Sequence, residues 1–275
     1  MKLSVITINF NNRDGLRKTI ESVVKQTYKD FEYIIIDGGS TDGSVDVIKE
    51  YADKIDYWVS EPDKGIYNAM NKGIDVAKGE YCIFMNSGDV FFSNDVYNEV
   101  YEDLRGGDII SGNLVFDIGG VWLSPEKADI PLFYSKNTLP HMATFIKTSW
   151  LKRYKYDENY RYVSDWKFFT QVLIYDRALY KSIRKNICIF DTNGISSIHK
   201  EQCEKEIINI LETEFSKNVL CYYMDNAIDW DSKLYNTIRE TKYRKLFYVL
   251  NVSIVKLFSL FQRKSWTKKF PLLMK

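Results

Sequence analysis

The sequence lacks the features that mark several common classes of protein. Its four cysteines form no C-x-x-C pair, so free thiols in a reducing compartment are favoured over disulfides or a zinc site. No uninterrupted apolar run reaches the ~18–20 residues that a membrane-spanning helix needs. The chain begins directly with a strand-like segment, and we therefore expect no secretory leader.

Two nucleotide-binding signatures and a strong overall charge are also missing. There is no G-x-G-x-x-G and no G-K-[ST], so neither Rossmann-type dinucleotide binding nor a P-loop is supported. The net charge is +1, but residues 239–275 contain ten Lys and Arg against one acid, which leaves 28 basic and 36 acidic residues elsewhere. An acidic body argues against nucleic acid as a partner, whereas the basic tail predicts an anionic partner for that segment alone.

What the chain does contain is a regular alternation of strand and helix patterns over its first ninety residues. Apolar, β-branched runs at 3–10, 31–36, 57–59 and 81–85 alternate with segments whose apolar residues recur at helical spacing. This alternation predicts an α/β fold with a mostly parallel central sheet flanked by helices. Further strands are predicted near 108–115, 121–123, 144–146 and 180–191, and a helix is predicted over 164–175.

The last part of the chain has a different pattern. From residue 200 onward the sequence is helical in character, so the predicted boundary separates an α/β domain, 1–199, from a helical extension, 200–275. Within that extension, residues 243–275 form a basic, aromatic-rich amphipathic pattern. Such a segment is typical of helices that bind an anionic membrane surface, although packing on the domain is the alternative.

Polar residues follow the predicted strands at the point where each strand ends. Asn9, Asp37, residues 60–63 and Asp89 all occupy such positions. Because ligands bind at the carboxyl edge of open α/β sheets, we expect these side chains to surround one ligand. A structural interpretation stays open as well, since Asp-Gly-Gly-Ser-Thr and Asn-Ser-Gly-Asp are also the compositions of capped turns.

Four segments in order carry a resemblance to a known family: SVITINFNN, IIIDGGSTDGS, SEPDKGIYNAMNKGI and the strand end Asn86-Ser87-Gly88-Asp89. Over roughly residues 1–200 the chain resembles the inverting glycosyltransferases of family 2, which have the GT-A fold, and within them bacterial enzymes of surface-polysaccharide assembly. The resemblance implies transfer of a sugar from a nucleotide-diphosphate sugar to a saccharide acceptor, expected to be lipid-linked. The expected location is cytoplasmic, at the inner face of the membrane.

The resemblance also implies roles for individual residues. The donor nucleotide is expected to contact Asn9, Phe10, Asp37, Asp63 and Asn86. Asp89 is expected to bind a divalent metal, Mn²⁺ or Mg²⁺, and Asp165 to act as the general base. His141 and Trp166 are expected on the acceptor or sugar side, and His199 stands where some relatives place a metal ligand.

Each of these roles has an alternative, and the motifs depart from the family pattern. Asp165 is also the kind of acid that favours a helix N-terminus, and Trp166 is also a typical core residue. Many relatives carry acids at the positions of Gly38, Asn86 and Gly88. These departures keep a catalytically degenerate scaffold open as another function. A nucleotidyltransferase, which could use a similar sheet and metal, is the second alternative, although the loop after the first strand is a poor phosphate loop.

Overall fold

The computed structural model describes residues 1–128, 138–192 and 199–214 of the chain. All of these residues lie within one compact unit, Met1–Leu220. The amphipathic segment at 243–275 lies outside the described residues, as does most of the predicted helical extension. The predicted domain boundary at residue 199 therefore stays a prediction.

Strands and helices alternate along the first part of the chain, as the sequence predicted. The strands are β1 (Leu3–Asn9), β2 (Phe31–Asp37), β3 (Tyr57–Ser60), β4 (Tyr81–Phe84), β5 (Val90–Phe91), β6 (Ile109–Phe116), β7 (Val121–Trp122), β8 (Thr144–Lys147) and β9 (Tyr180–Phe190). The α-helices are α1 (Arg13–Val24), α2 (Ser44–Glu50), α3 (Ile66–Val76), α4 (Val96–Val100), α5 (Thr148–Tyr154), α6 (Ser164–Thr170) and α7 (Lys200–Glu214).

The described strands form one sheet in the order β3-β2-β1-β4-β8-β6-β9-β5, with β7 paired to β6. The first four strands in this order run parallel to one another. Strand β8 runs antiparallel to β4 and to β6, so the second half of the sheet is mixed. The predicted α/β architecture is confirmed, and the carboxyl ends of β1 to β4 meet at one edge.

The central strands are near-continuous apolar runs because helices cover both faces of the sheet. Ile6 and Ile35, for example, are fully buried. Helix α1 begins after Asn12, whose side chain accepts a hydrogen bond from the backbone N–H of Gly15. Helix α3 approaches the sheet closely at Gly73, where a Cβ atom would lie 2.6 Å from Cγ2 of Ile6.

The structure corrects several sequence-based expectations. Helix α6 ends at Thr170, and the rest of the predicted helix continues as a π-helical turn, Gln171–Tyr175. Strand β5 and helices α4 and α5 were not predicted, because two to seven residues are too few to show a clear period. Asn71 on α3, although polar, is buried at 8% exposure.

Asn71 is buried because it binds the chain segment that precedes α6. Its Nδ2 donates to the carbonyl of Tyr156 and to Oε1 of Glu158, each at 2.9 Å, while its Oδ1 accepts from the backbone N–H of Tyr156 at 2.8 Å. This side chain therefore fixes α3 to the loop that leads into α6, which carries the predicted base.

Replacing Asn71 with Ala should lower the free energy of unfolding by about 2–4 kcal/mol, because both backbone groups of Tyr156 lose their partner in a buried place. Chemical denaturation measures this change. Asn68→Ala is the matched control on the same helix, since Asn68 bonds the exposed Glu158 carboxylate, and it should cost less than about 1 kcal/mol. Equal losses in the two variants would contradict this account of Asn71.

Candidate active site

The ends of the first three strands in the sheet order form a row of polar side chains. Asn9 pairs in register with Asp37, and Asp37 pairs with Ser60. The Asp37 carboxylate is fully buried and accepts four hydrogen bonds, from Asn9 Nδ2 and Ser40 Oγ on Oδ1 and from Ser40 N and Ser60 Oγ on Oδ2. Burial by itself raises the pKa of Asp37, but these hydrogen bonds bring the pKa below its ordinary value.

The Asp37 carboxylate is saturated with hydrogen bonds, so the unpartnered acceptor in this row of side chains lies elsewhere. A carboxylate offers about four lone-pair sites, and at Asp37 all of them are used. The Oδ1 atom of Asn9, by contrast, is buried and has no hydrogen-bond partner within the described residues. Asn9 therefore holds an acceptor atom without a partner, and Asp37 fixes the Asn9 side chain through the hydrogen bond from Nδ2.

Gly38 and Asp63 explain one departure from the family pattern. A Cβ atom on Gly38 would lie 2.5 Å from Oδ2 of Asp63 and 3.1 Å from the ring of Phe10. The Asp63 carboxylate therefore occupies the space into which a second acid at position 38 would project. Phe10 is 64% exposed at the same place. The structure thus brings Asn9, Phe10, Asp37 and Asp63 together, as the sequence analysis expected.

Asp89 lies beyond the end of β4 and is almost completely buried, at 4% exposure. Its Oδ1 accepts from the backbone N–H of Asp191 at 3.0 Å. Burial raises the pKa of Asp89 to about 7, an effect that the hydrogen bond from the Asp191 N–H opposes and that the charges of Asp191 and Asp117 reinforce. A buried acid in such surroundings is costly to ionise unless a cation is present.

Gly88 repeats the arrangement found at Gly38. Its φ of 112° is in the region that favours glycine, and a Cβ atom there would lie 2.8 Å from Oδ2 of Asp191. The Asp191 carboxylate, brought in by β9, therefore stands beside the position where relatives carry an acid. Sequence reasoning missed Asp191, because only the antiparallel pairing of β5 with β9 places it here.

The raised pKa of Asp89 predicts a pH-dependent stability for the metal-free protein. The folded state holds more protons than the unfolded state between about pH 4 and pH 7, so the free energy of unfolding falls as the pH rises through that window. Asp89→Asn cannot ionise and lacks this loss. From pH 5 to pH 8 the wild type should lose about 2–3 kcal/mol relative to the variant, measured by chemical denaturation in EDTA. Parallel pH profiles for the two proteins would contradict the burial argument.

A second cluster surrounds Asp165 at the start of α6. Oδ2 of Asp165 lies 3.0 Å from Nδ1 of His141, and Nε2 of His141 lies 3.0 Å from Nδ2 of Asn86. Oδ1 of Asp165 accepts from the Tyr67 hydroxyl and from the backbone N–H of Trp166, each at 2.9 Å. The predicted base is thus joined, through His141, to the residue that follows β4.

Tyr67 is a site residue that sequence reasoning missed. It lies on α3 within the segment SEPDKGIYNAMNKGI, so the motif contained it, but helical spacing gave no reason to single it out. Burial raises the pKa of Tyr67 well above 10, and the charge of Asp165 raises the pKa further. Tyr67 therefore keeps its proton, and its hydroxyl is a hydrogen-bond donor with two acceptors at 2.9 Å, Oδ1 of Asp165 and the carbonyl of Tyr162.

The side chains of Trp166 and His199 take no part in the hydrogen bonds just described. Trp166 is 1% exposed and one of the largest buried side chains, so its burial supports the core interpretation rather than a ring open to a sugar. The ring of His199 packs against the ring of Tyr162, with centroids 5.2 Å apart.

Across the described ranges, no three His, Cys, Asp or Glu side chains are grouped to hold a metal ion. No helix in those ranges is long and apolar enough to cross a membrane.

The parallel half-sheet with polar strand ends, and the buried acid at a helix start linked to one of them, agree with the fold that the family resemblance implied. The family model described as "Glycosyl transferase family 2" matches residues 4–184. An uncharacterized glycosyltransferase, Rv1514c of Mycobacterium tuberculosis, is 36% identical over 207 residues, which cover 72% of this chain and 78% of that protein. The chain belongs to glycosyl transferase family 2.

Two solved structures share the fold. TarS 1–349 of S. aureus, in complex with UDP-GlcNAc, aligns with a TM-score of 0.60 at 18% identity and covers 85% of this chain and 78% of that one. This chain spans only 46% of a longer TarS chain. Mannosyltransferase PcManGT from Pyrobaculum calidifontis, in complex with GDP-Man and Mn²⁺, aligns with a TM-score of 0.57 at 15% identity over 76% of this chain and 64% of that one. The fold is GT-A, and the chain is a glycosyltransferase.

Proposed function

We propose that this glycosyltransferase moves a sugar from a nucleotide-diphosphate sugar to a saccharide acceptor with inversion at the anomeric carbon. The observation that carries the proposal is the link from Asp165 through His141 to Asn86, because it puts a carboxylate base and the donor edge of the sheet in one site. The neighbours solved with UDP-GlcNAc and with GDP-Man support a nucleotide-sugar donor of this kind.

Inversion requires an in-line displacement. The acceptor oxygen bonds to the anomeric carbon as the bond from that carbon to the diphosphate oxygen breaks, and the electron pair leaves with the nucleoside diphosphate. The acceptor hydroxyl loses its proton to Asp165. General-base help of this kind contributes about 10²–10⁴-fold in rate.

On the donor side, Asn9, Phe10, Asp37 and Asp63 form the nucleotide pocket. The unpartnered Oδ1 of Asn9 accepts from the base, the exposed ring of Phe10 lies against it, and Asp37 holds Asn9 in place. Asn86 faces the donor from the next strand, with its own buried Oδ1 lacking a partner in the described part of the chain. Two buried acceptors at neighbouring strand ends suit a ligand that is rich in N–H and hydroxyl groups.

The residues present fit a divalent metal. Hard cations prefer oxygen ligands and take few from the protein when substrate phosphates and water supply the rest. Asp89 and Asp191, which flank the Cβ position of Gly88, would hold the ion, and a bound cation would stabilise charge on the departing diphosphate. The neighbour solved with Mn²⁺ supports this part of the proposal.

The proposed acceptor and location rest on the sequence pattern. A lipid-linked saccharide at the inner face of the membrane suits the basic amphipathic segment 243–275. Trp166 is left out of the acceptor site because of its burial, while His141 stays in it. The intact hydrogen-bonding around Asp165 speaks against the scaffold alternative.

A thermal-shift screen of nucleotide sugars, with and without Mn²⁺, tests the proposal. One donor should raise the melting temperature, by more in the presence of Mn²⁺, because a ligand that binds only the folded state stabilises it. The free sugar and a nucleoside monophosphate are the controls. No response to any nucleotide sugar would contradict the proposed function.

A further inference from the structure

The most informative unassigned feature is the hydrogen-bonded path Asn86–His141–Asp165–Tyr67, which crosses the site from β4 to α3. Its three contacts are between 2.9 and 3.0 Å long, within the range of good hydrogen bonds. His141 and Asp165 side chains are each only 13% exposed, so water competes little for these contacts. The path is built from four separate parts of the chain, and the proposed base is one member of it.

The chemistry of the partners fixes the form of the His141 ring. An ionised carboxylate can only accept hydrogen bonds, so Nδ1 of His141 must carry a proton in order to bond Asp165. The side-chain NH₂ of Asn86 can only donate, so Nε2 of His141 must be the bare nitrogen. The neutral ring with its proton on Nδ1 is the one form that satisfies both neighbours.

The same bonds limit how Asp165 can act. Its Oδ1 accepts from the backbone N–H of Trp166 and lies 2.9 Å from the Tyr67 hydroxyl, whose one proton is shared with the Tyr162 carbonyl, so both sides of that oxygen are occupied. Its Oδ2 accepts only from His141 among the described residues, which leaves one lone pair. An acceptor hydroxyl has that single position from which to lose its proton.

We propose that His141 is the positioning residue of the base: its Nδ1–H aims the free lone pair of Asp165 Oδ2 at the acceptor hydroxyl, and Asn86 holds His141 in the required tautomer. This inference rests on the proposed function and extends it. Asn86 keeps its buried Oδ1 for a donor hydroxyl, so one side chain contacts the donor and orients the base through His141.

The reaction balances without a further group. As the new bond from acceptor oxygen to anomeric carbon forms, the acceptor proton moves to the free lone pair of Asp165 Oδ2, and the nucleoside diphosphate leaves with the electron pair of the broken bond. His141 neither gains nor loses a proton. Its contribution is geometric, and misplacement of a reacting group by about 1 Å can cost about 10²-fold in rate.

Kinetics of three variants in the full chain test the positioning role. His141→Ala should lower kcat about 30–100-fold with a donor KM within about twofold of the wild type, because the base is misplaced while the donor pocket is intact. His141→Asn should recover about tenfold of that loss, since its amide NH₂ lies near the position of Nδ1. His141→Gln, whose amide reaches toward the position of Nε2, should not recover it.

A double variant separates positioning from general destabilisation. In the Asp165→Asn background, His141→Ala should change kcat by less than about twofold, because the base that His141 orients is already gone. Additive losses in the double variant would overturn the proposal. So would a His141→Ala enzyme with wild-type kcat.

Nitrogen-15 NMR of histidine-labelled wild type gives a readout that needs neither activity nor a variant of His141. The chain has two histidines, and His199→Gln identifies the signals of the other ring. His141 should show a protonated Nδ1 and a bare Nε2, and the opposite tautomer would overturn the proposal. A wild type without transferase activity contradicts the proposed function itself, whereas an active wild type with an equally active His141→Ala overturns only this inference.

Discussion

Asp165→Asn is expected to lower kcat about 10²–10⁴-fold while the donor dissociation constant stays within about twofold. The carboxylate is the only acid joined to the donor edge through His141 within the described residues, so no neighbouring group can replace it as the base. The substituted amide also presents either an NH₂ or a weaker carbonyl to Nδ1 of His141. Donor binding should change little, because the proposed nucleotide pocket is built mainly from β1, β2 and the loop after β3.

The measurement pairs steady-state kinetics with donor titration. Asp176→Asn is a matched control, since Asp176 lies beyond the other end of the same helical segment and bonds Gln171. That variant should keep its kcat within about twofold. A fully active Asp165→Asn enzyme would reject Asp165 as the base, and loss of donor binding in the same variant would point instead to a structural role.

Asp89→Ala is expected to abolish stimulation by Mn²⁺, a loss of about 10²-fold or more in kcat/KM at saturating metal. Asp89 is almost completely buried, at 4% exposure, and its ionised form is unfavourable without a cation. The burial that lowers the stability of the metal-free protein at neutral pH is thus the same property that suits Asp89 to the proposed metal role.

This prediction is checked by metal titration of activity, and by metal binding in the absence of donor. Asp14→Asn, which replaces an exposed carboxylate on α1, is the control and should keep its response to Mn²⁺. Asp89→Asn, which is expected to escape the loss of stability between pH 5 and pH 8, is assayed beside Asp89→Ala, and a loss of Mn²⁺ stimulation in both variants cannot be ascribed to misfolding. Unchanged stimulation by Mn²⁺ in Asp89→Ala would contradict the metal assignment.

Local patterns in the sequence were sufficient for the first half of the fold. The strands ending at Asn9, Asp37 and Ser60 follow from short apolar runs bounded by polar turns, and their parallel pairing follows from the intervening helices. The gathering of polar strand ends at one edge was therefore predictable. The roles assigned to those residues came from the family resemblance, and they remain predictions.

Contacts between distant segments could not be predicted from the sequence. Asp63 fills the space at Gly38, and Asp191 fills the space at Gly88, although each pair is separated by many residues. Tyr67 on α3 meets Asp165 at the start of α6 although 98 positions separate them in the sequence. Periodicity could not show that Asn71 on α3 is covered by the chain around Tyr156.

The central claim, inverting transfer from a nucleotide sugar, is tested most directly by the configuration of the product. Once the thermal-shift screen has identified a donor, proton NMR can follow the sugar released to water or to an acceptor before the anomers equilibrate. The account predicts that the first product has the anomeric configuration opposite to that of the donor, and that Asp165→Asn does not form it at a comparable rate. A first product with the configuration of the donor would contradict the account.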